Sequence, residues 1–389
     1  VLFYLGVLCL VFYERERPFP LEEYVRVDPG CLREFVSEVY FCLGLSRSDA
    51  DVVADVLVTA DLFGISSHGV QRVRRYVDGI RSGVVNVRPR VRVVRDFGAA
   101  VLIDADRGLG HPVGVKAMDI AVERAGKYGV SMVLVKNSNH FGIAGYYALK
   151  AAEKGFIGIT ATNSENLVAY VNTIGRTLGT NPIAVSIPCP SPPHILFDAA
   201  TSIVPVGKIE IYAKTGKPIP PGWVIDGEGN ILHGDPKKVL KEVKEGKAAL
   251  LPLGGLGEEF GGHKGSGLAF IIDIITGILS GAAWGKHVGY TAGTKPANVG
   301  HLFAAINIEA FISKEEFLER IKTYIKEIKS LKKHPKADHI WIPGEKAWLT
   351  MQTRTKIGIP LHKNVYRELI EIGREIGVKK EIKILKNTA

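Results

Sequence analysis

The chain has 389 residues, 46% of them hydrophobic and 23% charged, enough apolar material for a large buried core and unlike a disordered, collagenous or coiled-coil protein. The formal net charge is +10, with the lysines and arginines scattered and most of the excess in the C-terminal third. That distribution does not point to nucleic acid, and it suits a basic rim that attracts an anionic substrate.

The run VLFYLGVLCLVFY at the start is almost wholly apolar, yet too short to span a bilayer, which takes about twenty residues. It lacks the basic start and small-residue cleavage site of a signal peptide, and ERERPFP follows. Residues 1–25 are therefore set aside as an extension outside the core, with no membrane association expected. Leu32, Phe35, Val36, Val39, Tyr40 and Leu43 recur at helical period. Ser48 with Asp51 resembles a capping box that opens a second helix through Val52, Val53, Val56, Leu57 and Ala60. A third helix is expected from about Gly69 through RVRRYVDGI.

The middle of the chain changes character. VRVVRD, AAVLIDA, VSMVLVKN, IGITATN, PIAVSIP and HILFDAATS have strand length and composition, and VGVKAMDIAVERAG and YYALKAAEKG read as helices between them. The alternation predicts a mixed α/β core from about 85 to 232. KIEIYA follows, then KTGKPIPPGWVIDGEGN, which reads as a Pro/Gly-rich loop. GLAFIIDIITGILSG is apolar all round and so is expected inside the protein. LFAAINIEAF is a strand, Ser313 with Glu316 opens an amphipathic helix, and a last helix covers Val365 to Ile376.

Motifs that would identify a common nucleotide fold are absent or misspaced. GLGHPVG follows a strand and precedes a helix, but its last glycine stands one residue too far for GxGxxG, and no clear acidic partner follows. GGLGEEFGG has the same fault, and GxxxxGK[ST] and HExxH do not occur. Cys9, Cys31, Cys42 and Cys189 have neither metal-ligand nor redox spacing. No metal site, no Rossmann crevice and no secretion are expected.

Three segments place polar groups among apolar ones. In GISSHGVQRVRRY, His68 and Arg72 stand four apart; with Ser67 they suit a carboxylate, and equally Ser66 or Ser67 could cap a helix with the arginines in solvent. In VLVKNSNHFGIAGYY a strand ends at His140, a residue able to exchange protons near neutral pH, although a lone histidine more often satisfies loop backbone. TNSEN, LGTNP, FDAATS and GGHKGSG add Ser164, Thr180, Asn181, Asp198 and Lys264 beside strands and glycines.

Together with GKPIPPGWVIDGEGN, these segments resemble the malate/L-lactate dehydrogenase family of the second type, over roughly residues 26 to 376, with SNHFGIAGYY and IPPGW most like archaeal malate and sulfolactate enzymes. The resemblance implies an α/β, non-Rossmann fold: a helical domain from both chain ends (26–84 and the returning segment 313–389) and a cofactor domain (85–312) with a mixed, largely antiparallel sheet. It implies a cytoplasmic homodimer that uses NAD or NADP to interconvert a small 2-hydroxy acid and its 2-oxo acid, with malate first and sulfolactate or lactate next. His140 is then the proton-transferring residue, and Arg72, His68 and Ser67 form the substrate side. Ser164, Asp198, Ala199, Ala200 and Lys264 belong to the cofactor side. Two segments depart from the family pattern: Ala199 replaces a usual Met, and VAYVNTIGRT replaces a Pro- and Gly-containing loop. The rival readings are an NADPH-dependent reductase of cyclic 2-imino acids and a basic, non-catalytic ligand- or nucleic-acid-binding protein.

Overall fold

A computed structural model describes residues 13–15 and 17–385 of the chain; the apolar run at 1–12, with Cys9, lies outside the described residues. Both ends of the described chain meet in one helical assembly. Strand β1 (Tyr24–Val27) leads into α1 (Pro29–Cys42), α2 (Arg47–Leu62) and α3 (Val73–Arg81). Asp28 caps α1 by accepting from the Cys31 amide, with Pro29 in the first turn where its missing N–H costs nothing. The cap of α2 is Ser46, bonded to the Asp49 amide, two residues earlier than the Ser48/Asp51 pair suggests; the same Ser-x-x-Asp spacing is simply used one step upstream.

The central sheet uses β2 (Arg92–Phe97), β3 (Ala100–Asp104) and, after α4 (Gly110–Tyr128), β4 (Val130–Ser138). Helix α5 (Ala144–Glu153) then precedes β5 (Phe156–Thr162), β6 (Ile183–Ile187) and β7 (Ile195–Ala199). A smaller unit follows: α6 (Val206–Thr215), β8 (Ile219–Asp226), β9 (Ile231–Gly234), α7 (Pro236–Lys244) and β10 (Ala248–Leu250). The chain re-enters the large sheet through α8 (Gly262–Asp273) and β11 (Val299–Asn307). It ends with α9 (Lys314–Ser330), α10 (Glu345–Ile357), β12 (Ile359–His362) and α11 (Lys363–Ile376).

The seven strands lie in the order β2-β3-β4-β11-β5-β6-β7, and only the β3–β4 pair is parallel. The sheet is mixed and largely antiparallel, and it has no parallel crevice for a GxGxxG turn. Helices α4 and α5 cover one face, where Val113, Ala117, Ala121 and Tyr147 pack on Ile103, Val133, Val135 and Phe303. Strand β12 pairs antiparallel with β1, so Ile359 and Leu361 join Val27, Leu32, Phe35 and Leu57 in the helical core.

Two stretches differ from their sequence patterns. KPIPPGWVID is not loop but β8, the middle strand of the sheet β10-β8-β9. Its prolines fall where the β8–β9 register shifts between Ile219 and Val224, so no regular ladder bond is asked of them, and Val224 and Ile225 are buried beyond. GLAFIIDIITGILSG is helical through Asp273 and continues as a π-helical turn, Ile274–Leu279, but it is not enclosed. Ile272 packs under the sheet with Leu134, Ala161 and Leu302, whereas Ile271 and Leu279 are 52% and 63% exposed.

Within the segment 1–25, Glu14 and Arg15 touch the folded body. Glu14 pairs with Arg26 at 2.7 Å and with Arg354 at 3.1 Å, and Arg354 is only 1% exposed. Burial pushes the Glu14 carboxyl up, but Arg26 and Arg354 hold it below its ordinary range. Glu14→Ala would take from the buried Arg354 guanidinium its directly bonded carboxylate and is expected to lower unfolding free energy by about 3 kcal/mol, read from urea denaturation at neutral pH. The loss should shrink in acid, where the carboxylate protonates in the parent as well.

Candidate active site

The first wall of the site is set by Asp61 at the end of α2. Its carboxylate accepts the Val70 amide at 2.7 Å, and a Cβ on Gly69 would overlap that carboxylate, so only glycine fits this corner. The chain therefore makes two short 3₁₀ turns, Ser66–His68 and Val70–Arg72, before α3, rather than one helix from Gly69. Neither Ser66 nor Ser67 caps a helix. Ser67 Oγ lies 2.9 Å from His68 Nδ1, and Arg72 Nε donates to the Ser67 carbonyl at 2.7 Å. Ser67, His68 and Arg72 are thus one bonded unit.

The second wall is the end of β4. Asn139 Nδ2 donates to the carbonyls of Arg107 and Gly108, and Gly110 lies against the Asn139 carbonyl where a side chain would overlap it. GLGHPVG is thereby the mounting of SNHFG and no phosphate loop. The His140 ring stacks on His68, with centroids 5.7 Å apart and planes at 17°. Its Nδ1 faces Tyr76 Oη at 2.6 Å and the Gly142 amide at 3.2 Å. Tyr76 is fully buried, and burial pushes its hydroxyl pKa far up, so it stays neutral and serves as donor or acceptor as the ring demands. Burial, then the charges of Arg75 and Arg72, hold the His140 pKa well below its ordinary value; burial and the same two arginines bring His68 to about 3, so the two stacked rings are both neutral near pH 7. Tyr76→Phe is expected to lower turnover about tenfold and to displace the pH profile, because Nδ1 loses its stronger partner while Nε2 remains. A profile superimposable on the parent's would contradict this.

These walls enclose a cavity of about 560 Å³ that holds His68, Arg72, His140 and Ser164 together. Ser67 stands behind His68. The structure does not bring Asp198, Ala199, Ala200 or Lys264 to the cavity wall. Asp198 accepts the Gly145 amide at 2.7 Å and lines a separate cavity with Arg15 and Trp341, where burial raises its pKa to about 6. Lys264 is exposed in the first turn of α8. Residues that the motif reading passed over complete the cavity. Arg75 pairs with Glu165 at 3.1 Å and lies 4.3 Å over the Tyr290 ring; Glu210, from α6, pairs with Arg72 at 2.9 Å. Arg75 and Tyr76 stand three and four residues after Arg72, so helical spacing could have found them. Glu165, Glu210 and Tyr290 come from distant segments and leave no such signal. Among the described residues no group of three or more His, Cys, Asp or Glu side chains is placed to hold a metal ion, and no helix is long and apolar enough to cross a membrane.

A proton-exchanging histidine beside two guanidiniums is what removal of a proton from an alcohol that also carries carboxylates requires. The sequence profile of the malate/L-lactate dehydrogenase family matches residues 27–370. This chain belongs to that family. The malate dehydrogenase of Pyrococcus horikoshii is 52% identical over 94% of this chain and 99% of its own length. The L-sulfolactate dehydrogenase of Methanothermobacter thermautotrophicus is 34% identical over 93% of this chain and all of its own. The solved structure of the Pyrococcus horikoshii malate dehydrogenase superposes with a TM-score of 0.86, covering 95% of this chain and 100% of that one. The activity class is that of a 2-hydroxy acid dehydrogenase, which works with a nicotinamide coenzyme.

The cavity has groups that fit such a coenzyme. Ser164 Oγ, bonded to the Thr180 amide at 3.0 Å, lines the cavity, and Arg176 has a buried Nη2 with no hydrogen-bond acceptor among the described residues. An orphaned cationic donor of this kind suits an anionic ligand group.

Proposed function

We propose that this chain oxidises malate to oxaloacetate reversibly, with NAD or NADP. The observation that carries the reading is the pair Arg72 and Arg75 beside His140 in one cavity. One guanidinium suffices for the single carboxylate of lactate; a second favours a substrate with two acidic groups. Sulfolactate satisfies that condition as well, and the 52% identity to malate dehydrogenases favours malate. Arg72 takes the C1 carboxylate, His140 Nε2 takes the hydroxyl proton on oxidation and returns it on reduction, and His68 orients the substrate. A bound coenzyme supplies the hydride chemistry; the protein supplies position and charge. Oxaloacetate, sulfopyruvate, pyruvate and a cyclic imino acid, each offered with NADH and NADPH, test the reading. Oxaloacetate should give the highest kcat/KM and pyruvate a far lower one; preference for pyruvate or for the imino acid would overturn it.

We also propose a cytoplasmic homodimer formed through the bare side of α8 and its π turn. Support comes from Leu268, Phe270, Ile271, Ile278 and Leu279, five exposed apolar side chains on one helix and its π turn. Cys31, Cys42 and Cys189 are free thiols, consistent with a reducing compartment. Ile271→Glu should give a monomer by light scattering; an unchanged dimer would place the interface elsewhere.

A further inference from the structure

We propose that Arg176 is a phosphoryl-binding position that receives a phosphate of the coenzyme. The assignment rests on the dehydrogenase reading and adds a site to it. Of the four cations that line the cavity, Arg72 and Arg75 are each matched by a glutamate, Glu210 and Glu165. Lys244 acts with Arg72 on the same Glu210, which leaves Arg176. Among the described residues no carboxylate pairs with Arg176, and burial alone acts on its pKa, lowering it. An arginine that has lost water without gaining an anion is poised for one from outside the chain.

Its placement is fixed and not incidental. Arg176 Nε donates to the Ala248 carbonyl on β10 at 3.0 Å, which anchors the head group while Nη2 stays buried and unpartnered. Arg176 itself lies between β5 and β6, and this bond ties it to the small three-stranded unit. His140, Arg72 and Arg75 come instead from the end of β4 and from the α3 region. A guanidinium fork suits the oxygens of a phosphate.

The shared chemistry is a phosphoryl group, which in the coenzyme is either the diphosphate or the 2′-phosphate of NADP. NADH and NADPH are titrated separately into the full-length protein, with binding followed by calorimetry, for the parent, Arg176→Gln, Arg176→Lys and Lys244→Gln. Arg176→Gln is expected to weaken binding by about tenfold or more, as loss of a charge-assisted bond does. Arg176→Lys should recover part of the loss, and Lys244→Gln, which leaves Arg176 intact, should lose much less than Arg176→Gln. Loss for NADPH alone assigns the 2′-phosphate; loss for both coenzymes assigns the diphosphate. Unchanged affinity for both in Arg176→Gln overturns the proposal, as does a raised oxaloacetate KM with coenzyme affinity intact, which would make Arg176 a substrate residue. Thermal melts report whether Arg176→Gln folds. If it does not, Arg176→Lys decides, and unchanged affinity in it is again a refutation. A parent protein that binds neither coenzyme would sink the dehydrogenase reading itself.

Discussion

His140→Ala should lower kcat for oxaloacetate reduction by about 10²–10⁴-fold while coenzyme affinity stays close to that of the parent. In the proposed mechanism this ring exchanges the proton: its Nδ1 is already engaged, which leaves Nε2 for the substrate. His140→Asn is the sharper control, since its amide can keep a partner for Tyr76 and lacks any group at the Nε2 position. Both variants should lose turnover; a near-parental rate in either would remove His140 from the mechanism.

The pH dependence follows from the same surroundings. Reduction needs a protonated ring, yet burial and the charges of Arg75 and Arg72 keep the free ring neutral across the neutral range. A dianionic oxo acid cancels part of that positive field, so binding should draw in one proton. Above the lowered pKa of the free enzyme, log kcat/KM for oxaloacetate should therefore fall by about one per pH unit. Oxidation of malate starts from the neutral ring and should be nearly flat over the same range. Equal slopes in the two directions would show that the proton does not travel through His140.

What the sequence discloses and what it hides divide along physical lines. The α4–β4–α5 region is legible because period and length agree with its burial, and SHGVQR, SNHFG and TNSEN, far apart in the chain, converge on one cavity. Strand β8 is hidden because proline counts against a strand unless the register is already broken there. Helix α8 misleads because an all-round apolar pattern signals burial without saying whether the chain itself or a second copy provides the cover. Glu165 and Glu210 are invisible as site residues, since a carboxylate in a sequence gives no hint that it faces an arginine ninety or more residues away. Asp198 and Lys264 carry the motifs of the cofactor side and stand off this cavity, Asp198 in a neighbouring one.

If the substrate carboxylate binds Arg72 as proposed, substrate and protein compete there for one seat. Its Nη1 holds Glu210 at 2.9 Å and its Nε the Ser67 carbonyl at 2.7 Å, and burial of Glu210 is outweighed by the Arg72 charge, which keeps that carboxyl low. A carboxylate arriving at Arg72 must displace Glu210 or share the guanidinium with it. Arg72→Ala removes the anchor and leaves Glu210 half-buried without its partner; kcat/KM for oxaloacetate should drop by roughly 10²-fold or more, which is about 3 kcal/mol. Arg72→Lys should recover little, since one ammonium does not reproduce the two-pronged grip. Glu210→Gln should act in the opposite sense: the resident competitor loses its charge, and KM for oxaloacetate should fall severalfold with thermal stability slightly reduced. Steady-state kinetics on the three variants separate the two roles, because a merely structural ion pair would raise KM on either side. If Glu210→Gln raises KM as Arg72→Ala does, Glu210 positions the guanidinium for the substrate and does not compete with it.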